Sequence, residues 1–176
     1  MKTSIADALA RQVLDADEAL TFVVDAYRNR LLRPERSVEH PIAVARLLAD
    51  VHQPQRLVIA GLLHDVLEDT RTTANELGNT FGPEAARLVQ ALTEDPSITK
   101  YKRRKAALRQ QILAAGPDAG TVSLGDKLAK LSAHQSPPRP RKLAHYRQTL
   151  EGVEGRYGPS RLSGLLRDEL ARWPDT

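Results

Sequence analysis

Apolar side chains recur at intervals of three and four residues along most of this chain, which is the spacing of one face of an α-helix. Residues 16–31 illustrate this spacing, with apolar side chains at Leu20, Val23, Val24, Tyr27 and Leu31. Runs of β-branched residues are short, and proline or glycine interrupts the periodic segments in stretches such as GPDAG and QSPPRP. The pattern therefore predicts an all-α fold.

The periodicity and the interruptions together predict where the helices lie. We expect helices over residues 4–13, 16–31, 41–51, 55–69, from Thr72 or Thr73 to Leu77, from Pro83 to Leu92, and over 100–115, 121–133, 139–152 and 160–172. A chain of 176 residues suits one core. We therefore expect a single domain over residues 16–176. A helical extension over residues 1–15 would either cover the core or pair two subunits into a homo-oligomer.

Composition excludes several classes of protein. The chain has no cysteine, so disulfides and thiolate chemistry are excluded, and any metal must be held by His, Asp or Glu. No apolar run reaches the roughly 18 residues that a membrane span requires, and the N-terminus lacks the apolar segment of a signal peptide. We therefore expect a cytoplasmic protein that does not bind membranes.

The charge balance is mildly basic, with a net charge of +4 and a pI of about 9.6. This balance suits ligands that carry phosphate. The main basic run is KYKRRK at residues 100–105, which is either the solvated start of a helix or a surface that faces an anion. Aromatic residues are scarce, so a stacking platform for single-stranded nucleic acid is not expected.

The stretch GLLHDVLEDT places four polar side chains after an apolar run. On a helix over residues 55–69, the side chains of His64, Asp65, Glu68 and Asp69 share one side, and no Lys or Arg accompanies them. A solvated helix face explains any one of these acids alone. The group together indicates a bound cation, with His64 and Asp65 as ligands and with Glu68 and Asp69 free to handle water and protons.

Residues elsewhere in the chain could complete such a site. His40 precedes Pro41 at a predicted helix start, where it is either a capping or packing histidine or a metal ligand. Asp126 is the only charge in a stripe of small apolar residues, so its partner is either a basic side chain or a metal ion. Gly61, one turn before the carboxylates, would leave room above them. Two histidines and two aspartates would suit Mn, Fe, Zn or Mg.

Three phrases carry a family resemblance: HPIAVARLLADV, AGLLHDVLEDTRTTANELGNTFGPEAARLVQALTED and SLGDKLAKL. An early His, then His-Asp followed three residues later by Glu-Asp, then a late Asp, is the signature of the HD-domain metal-dependent phosphohydrolases. The longer phrases resemble the hydrolase domain of the RelA/SpoT group and its stand-alone, Mesh1-like small alarmone hydrolases. The likeness runs from about residue 17 to residue 153.

The resemblance implies a compact bundle of about ten helices and a metal-dependent pyrophosphohydrolase. The substrate would be the nucleotide ppGpp or pppGpp, cleaved at its 3′-pyrophosphate to GDP or GTP plus pyrophosphate. Glu68 and Asp69 would position or activate the attacking water. One Mn²⁺ would be held by His40, His64, Asp65 and Asp126.

The resemblance also implies substrate contacts. Lys100, Arg103 and Arg104 match a family stretch that supplies cations near the site, so the anion-facing interpretation of KYKRRK gains weight. Tyr146 matches a tyrosine of a late helix and would border the nucleoside. Lys127 matches the basic residue that follows the last aspartate in the family.

Several positions depart from the family pattern. Ser37 stands where the family has a tyrosine, and Arg33 or Arg30 would replace a basic pair in a shortened loop. Ala129 and Lys130 stand where the family has an aromatic residue or histidine and then an asparagine that is expected to contact the nucleoside. Lys130 is either a surface lysine or an extra cation for a more phosphorylated substrate. The departures affect the guanosine-reading positions and leave the metal set complete.

Two other functions therefore stay open. The chain could act as a phosphohydrolase on another nucleotide or phosphorylated metabolite. It could also be a regulatory module that binds a metal or a nucleotide without catalysis. The intact Glu68–Asp69 pair argues against the second of these, because a pure binding protein has no need of carboxylates beside the ligands.

Overall fold

The computed structural model of the protein describes residues 16–173, and this part of the chain is a bundle of nine helices without a strand. The predicted all-α class is confirmed. The predicted helix over residues 4–13 lies outside the described residues. The helices are α1 (Ala16–Asn29), α2 (Glu39–Asp50), α3 (Gln55–Leu63), α4 (Val66–Asp69), α5 (Ala74–Leu92), α6 (Tyr101–Ala115), α7 (Pro117–Ser132), α8 (Pro140–Tyr157) and α9 (Arg161–Ala171). None of these helices combines the length and the apolarity that crossing a membrane requires.

Helix α7 lies at the centre of the bundle and packs against α2, α3, α5, α6, α8 and α9. Most of its side chains are buried because so many helices surround it. The helix begins at Pro117, four residues before the predicted start at residue 121. Pro117 fits the first turn because its missing N–H is not needed there. Only Gly116, with φ of +112°, breaks the chain in GPDAG.

Helix α5 is bent in its middle. Thr73 caps it, because the Thr73 hydroxyl accepts the Glu76 N–H and the Glu76 carboxylate accepts the Thr73 N–H. The first part runs to Phe81 rather than ending at Leu77, and Gly82, with φ of +87°, turns the chain before Pro83. The prediction that a helix begins anew at Pro83 is confirmed.

The continuous helix predicted over residues 55–69 is wrong at His64 and Asp65, where a turn separates α3 from α4. His64 Nδ1–H donates to the carbonyl oxygen of Gly61 at 2.8 Å, which is the acceptor that a continuing helix would give to the Asp65 N–H. The turn places both polar side chains at the end of α3.

Gly61 serves helix packing, and the expectation that it leaves room above the carboxylates is wrong. A Cβ at this position would lie 2.8 Å from Leu48 Cδ1 and 3.4 Å from Ala45 Cα, so α2 fills the space. A Cβ at Gly125 of α7 would meet the same leucine, at 3.1 Å from Leu48 Cδ2. The close approach of both glycines to Leu48 lets α2 pack tightly against α3 and α7.

The segment between α1 and α2 is tied to the end of α4. The Leu32 N–H donates to the carbonyl oxygen of Asp69 at 2.7 Å, and the Arg71 N–H donates to that of Arg30 at 2.9 Å. These bonds form a single antiparallel bridge between Leu31 and Thr70. The bridge brings the basic side chains of this segment next to the acids of α4.

Candidate active site

Four side chains that are far apart in sequence meet in one place. His40 lies in the first turn of α2, His64 and Asp65 lie in the turn after α3, and Asp126 lies in the middle of α7. One nitrogen or oxygen from each residue lies within 4.8 Å of the others. Asp126 Oδ1 is 2.8 Å from His40 Nε2 and 3.3 Å from His64 Nε2. The structure thus brings together all four residues predicted as metal ligands.

The surroundings of the His64 ring indicate whether the cluster of four side chains fits a cation. Its Nδ1–H is used by Gly61, so a neutral ring presents the lone pair of Nε2. This Nε2 is buried without a hydrogen bond and lies 3.1 Å from Asp65 Oδ2. Burial lowers the pKa of His64, but Asp65 and Asp126 outweigh burial and raise this pKa to about 10. The cluster therefore needs positive charge at Nε2, and a divalent ion supplies it with nitrogen and oxygen ligands.

Asp126 is buried and Asp65 is half-buried, and neighbouring positive charge favours the ionised form of both carboxyls. Burial alone would raise the pKa of the Asp65 carboxyl, but His64 and Lys130 hold this pKa well below its usual range. Burial likewise opposes ionisation of Asp126, whose pKa is lowered by Lys130 and Lys127. Both carboxylates are thus available as ligands at neutral pH.

Two lysines of α7 hold the carboxylate of Asp126, one on each oxygen. Lys127 Nζ is buried and lies 3.2 Å from Oδ2, and Lys130 Nζ lies 2.7 Å from Oδ1. Lys130 Nζ is also 3.8 Å from Asp65 Oδ2. The interpretation of Lys130 as a surface lysine is therefore wrong. Lys127 is placed to orient Asp126, with Oδ1 left facing the histidines.

Glu68 and Asp69 follow the ligands in sequence but face different surroundings. Glu68 Oε1 accepts the backbone N–H of Glu94 at 2.7 Å, and its side chain lines the same cavity as the ligands. Asp69 is buried outside that cavity and accepts a hydrogen bond from the Tyr27 hydroxyl at 3.0 Å. Burial raises the pKa of both carboxyls. Tyr27, predicted only as a core residue, is thus a partner of Asp69.

The cavity beside the ligands, of about 70 Å³, is rich in charge. Its charged lining residues are Asp65, Glu68, Glu94, Asp126, Arg36, Lys105, Lys127 and Lys130. Four cations thus face four carboxylates, so a divalent ion would give the cavity a net positive charge. Such a cavity suits an anion that carries several phosphates.

The basic residues expected to face the cavity were only partly identified from sequence. Arg104 binds Glu94 and the carbonyl oxygens of Ile98 and Thr99, and Lys100 and Arg103 are exposed. The structure does not bring these three to the cavity. The next residue of the same run, Lys105, does line it.

Arg36, four residues before the first histidine, also lines the cavity and was missed. Arg33 Nη1 lies 3.5 Å from Asp69 and 3.8 Å from Glu68, whereas Arg30 pairs with Glu76. The positive charge of residues 30–36 and 100–105 indicated that basic side chains lie near the site. Which of these side chains line the cavity depends on the direction in which each one points.

The remaining predicted positions lie around the site or beneath it. Tyr146 is buried in the core, and the Lys142 ammonium lies 5.8 Å from the centre of its ring. Ala129 is buried, and the Ser37 hydroxyl donates to Glu39 at 2.7 Å just before α2. None of these three lines the cavity described above.

Comparison with known proteins agrees with this geometry. The MESH1 guanosine-3′,5′-bis(diphosphate) 3′-pyrophosphohydrolase of Danio rerio is 39% identical over 124 residues, which are 65% of this chain and 66% of that protein. The Homo sapiens protein of the same name is 36% identical over 119 residues, with the same coverage. A Brucella melitensis GTP pyrophosphokinase, rsh, is 30% identical over 135 residues, 70% of this chain but 18% of that protein. The chain thus spans about two thirds of the length of the MESH1 relatives.

Solved structures support the fold. A metazoan ortholog of SpoT, described as hydrolysing ppGpp, superposes with a TM-score of 0.73 at 22% identity, covering 98% of this chain and 97% of that one. A Listeria monocytogenes protein superposes with a TM-score of 0.58 at 29% identity, covering 80% and 96%. The HD domain family matches residues 19–151, which include all four clustered ligands. The resemblance seen in the sequence is confirmed: the chain belongs to the HD-domain family, with RelA/SpoT-type proteins among its relatives.

Proposed function

We propose that this chain is a metal-dependent pyrophosphohydrolase that removes the 3′-pyrophosphate of ppGpp or pppGpp and yields GDP or GTP. The observation that carries the proposal is the meeting of two histidines and two aspartates beside a cavity that holds Glu68 and four cations. The identity with the MESH1 proteins supports the nucleotide substrate. We propose Mn²⁺ as the ion, held by His40, His64, Asp65 and Asp126.

The metal ion and the protein side chains would have different roles in the hydrolysis. When bound, the ion lowers the pKa of water and withdraws electron density from a phosphoryl oxygen. Glu68, with a pKa raised by burial, would accept a proton from the attacking water, and its bond from the Glu94 N–H would fix its direction. Asp69 would support this step from outside the cavity, held by Tyr27.

Binding of the substrate would depend on the cations around the cavity. Arg36 and Lys105 line it from two different parts of the chain, the segment before α2 and helix α6. Their charges would neutralise phosphate oxygens and the pyrophosphate that leaves. Lys127 would keep Asp126 in place during the reaction, because its ammonium lies 3.2 Å from Oδ2.

The test is direct. The purified protein is incubated with ppGpp and Mn²⁺, and the products are separated by anion-exchange chromatography. Equal amounts of GDP and pyrophosphate are expected, and a chelator should stop their release. The proposal fails if ppGpp is unchanged while another phosphoester is consumed, or if metal binds and no compound turns over.

A second candidate, hydrolysis of another nucleotide or phosphorylated metabolite, has one observation in its favour. Lys130, which stands where the family has a nucleoside-contacting asparagine, lies on the metal ligands, and Ala129 beside it is buried. The guanosine contacts of the family are therefore not reproduced at these two positions. A panel of nucleotides, with NADPH included, assayed under the same conditions separates the two candidates by relative kcat/KM.

A further inference from the structure

We propose that Lys130 is a built-in counter-cation of the metal ligands, which competes with the divalent ion and sets how tightly this chain binds it. Its ammonium is 2.7 Å from Asp126 Oδ1, closer than His40 Nε2 at 2.8 Å or His64 Nε2 at 3.3 Å. The same ammonium is 3.8 Å from Asp65 Oδ2. It therefore lies against the oxygens that the ion would use. The inference rests on the metal centre of the proposed function and not on its substrate.

The lysine reaches this place because of its position on α7. Lys130 follows Asp126 by four residues, so the two side chains lie on one face of the helix. The ligand carboxylates are enclosed, and a buried carboxylate without a counter-charge is costly. An ammonium in contact with both removes much of that cost. Metal binding must then overcome either the loss of this ion pair or the repulsion between two neighbouring cations.

Lys127 has a different role from Lys130, although both lysines contact Asp126. Its ammonium binds Oδ2, whereas both histidines contact Oδ1, and its side chain is only 5% exposed. Lys130 binds Oδ1 and is 25% exposed, so a flexible stem can carry its charge into the cavity or toward solvent. Lys127 therefore orients the ligand, whereas Lys130 is the exchangeable cation.

The other charges near Lys130 do not replace it. Arg36 and Lys105 line the cavity, but the ion pairs of Arg36 run to Asp69 and those of Lys105 to Glu94. Neither pairs with Asp65 or Asp126. Removal of the Lys130 charge would thus leave Asp65 without an ammonium contact and Asp126 with Lys127 alone.

The experiment measures Mn²⁺ binding by electron paramagnetic resonance, from the loss of the free-ion signal, without any nucleotide. The variants are Lys130→Met and Lys130→Asn, which remove the charge, Lys130→Arg, which keeps it, and Lys102→Met, an exposed control on α6. We expect the two neutral variants to bind Mn²⁺ at least about tenfold more tightly than the original chain, because a hydrogen-bonded ion pair no longer competes. The Arg variant and the control should stay within about threefold.

A second measurement is thermal unfolding without metal. The melting temperature of the Met and Asn variants should fall, and added Mn²⁺ should restore more of it than in the original chain. The inference is overturned if charge-removing and charge-keeping variants bind Mn²⁺ alike, or if neutral variants bind it more weakly. If neither the original chain nor any variant binds Mn²⁺, the metal centre and the proposed function fail with it.

Discussion

Asp65 and Glu68 lie three residues apart, yet their surroundings give the two carboxyls different chemistry. Asp65 faces His64 and Lys130, and these cations hold its pKa low despite burial. Glu68 is also half-buried, but it has no histidine at 3.1 Å as Asp65 has, and burial together with the charge of Asp65 raises its pKa. A pair of carboxyls whose pKa values are moved apart is suited to one ligand and one proton acceptor.

This difference predicts separable mutant effects. Asp65→Asn should abolish both Mn²⁺ binding and hydrolysis, because a carboxylate ligand is lost. Glu68→Gln should keep the metal and lower kcat by about 10²- to 10⁴-fold, the usual contribution of a general base. Metal content and kcat are measured on the same preparations. An Asp65→Asn variant that hydrolyses at the original rate would contradict the site assignment.

The raised pKa of Glu68 predicts a pH dependence. Burial favours the neutral acid, so the folded pKa lies above the ordinary 4.5, and the carboxylate accepts a proton only after the pH exceeds this value. We expect kcat/KM to rise with pH through that pKa at saturating Mn²⁺. This rise should disappear in Glu68→Gln, because the variant has no carboxyl that titrates at this position. If kcat/KM of the variant still rises with pH over the same range, the rise belongs to the titration of another group.

At the scale of elements, the site depends on how closely three helices approach. His40 begins α2, His64 and Asp65 follow α3, and Asp126 belongs to α7. Gly61 and Gly125 both meet Leu48, so the small residues set the separation of these helices. The four residues predicted to bind the metal are thus held in place by a contact on the apolar side of the same helices.

Gly61→Ala is therefore expected to destabilise the protein. A Cβ at 2.8 Å from Leu48 Cδ1 forces the buried Leu48 side chain or the helices to shift, and such overpacking costs about 1–3 kcal/mol. Gly155→Ala in α8 is the matched control, since its Cβ meets nothing and the helix gains about 0.5–1 kcal/mol. Urea unfolding gives both free energies. Equal effects of the two substitutions would show that helix separation at Gly61 is not constrained.

At the scale of the whole molecule, the cluster of predicted ligands lies on helices that contribute to both halves of the apolar core. One apolar cluster is centred on α7, α8 and α9, and the other on α1, α3 and α5, with residues of α2 and α3 in both. Asp126 comes from the first half, whereas His64 and Asp65 follow α3. An ion bound here would cross-link segments that are distant in sequence, so its binding energy becomes folding energy.

We therefore expect Mn²⁺ to raise the melting temperature. At a free concentration 100 times the Kd, the gain in unfolding free energy is about 2.7 kcal/mol if the unfolded chain does not bind. Asp126→Asn should remove the gain, while Glu68→Gln should keep it. A thermal shift of equal size in the Asp126→Asn variant would mean that the ion binds elsewhere.

The sequence was sufficient for features that depend on local spacing. Three- and four-residue periodicity predicted the helical class and most helix positions, and the pattern of an early His, a His-Asp pair and a late Asp predicted which four residues would converge. The sequence did not predict correctly which way individual side chains point. Lys105, and not Arg104, lines the cavity, because a shift of one residue on a helix turns a side chain by about 100°.

Local pattern alone thus determined that this chain forms amphipathic helices and carries a set of nitrogen and oxygen ligands, since both follow from residue type and interval. The packing of α2, α3 and α7 decided the rest. It placed α2 in the space beside Gly61 and brought the Lys130 ammonium within 3.8 Å of Asp65. These contacts join residues far apart in the chain, and their distances exist only after the helices have come together.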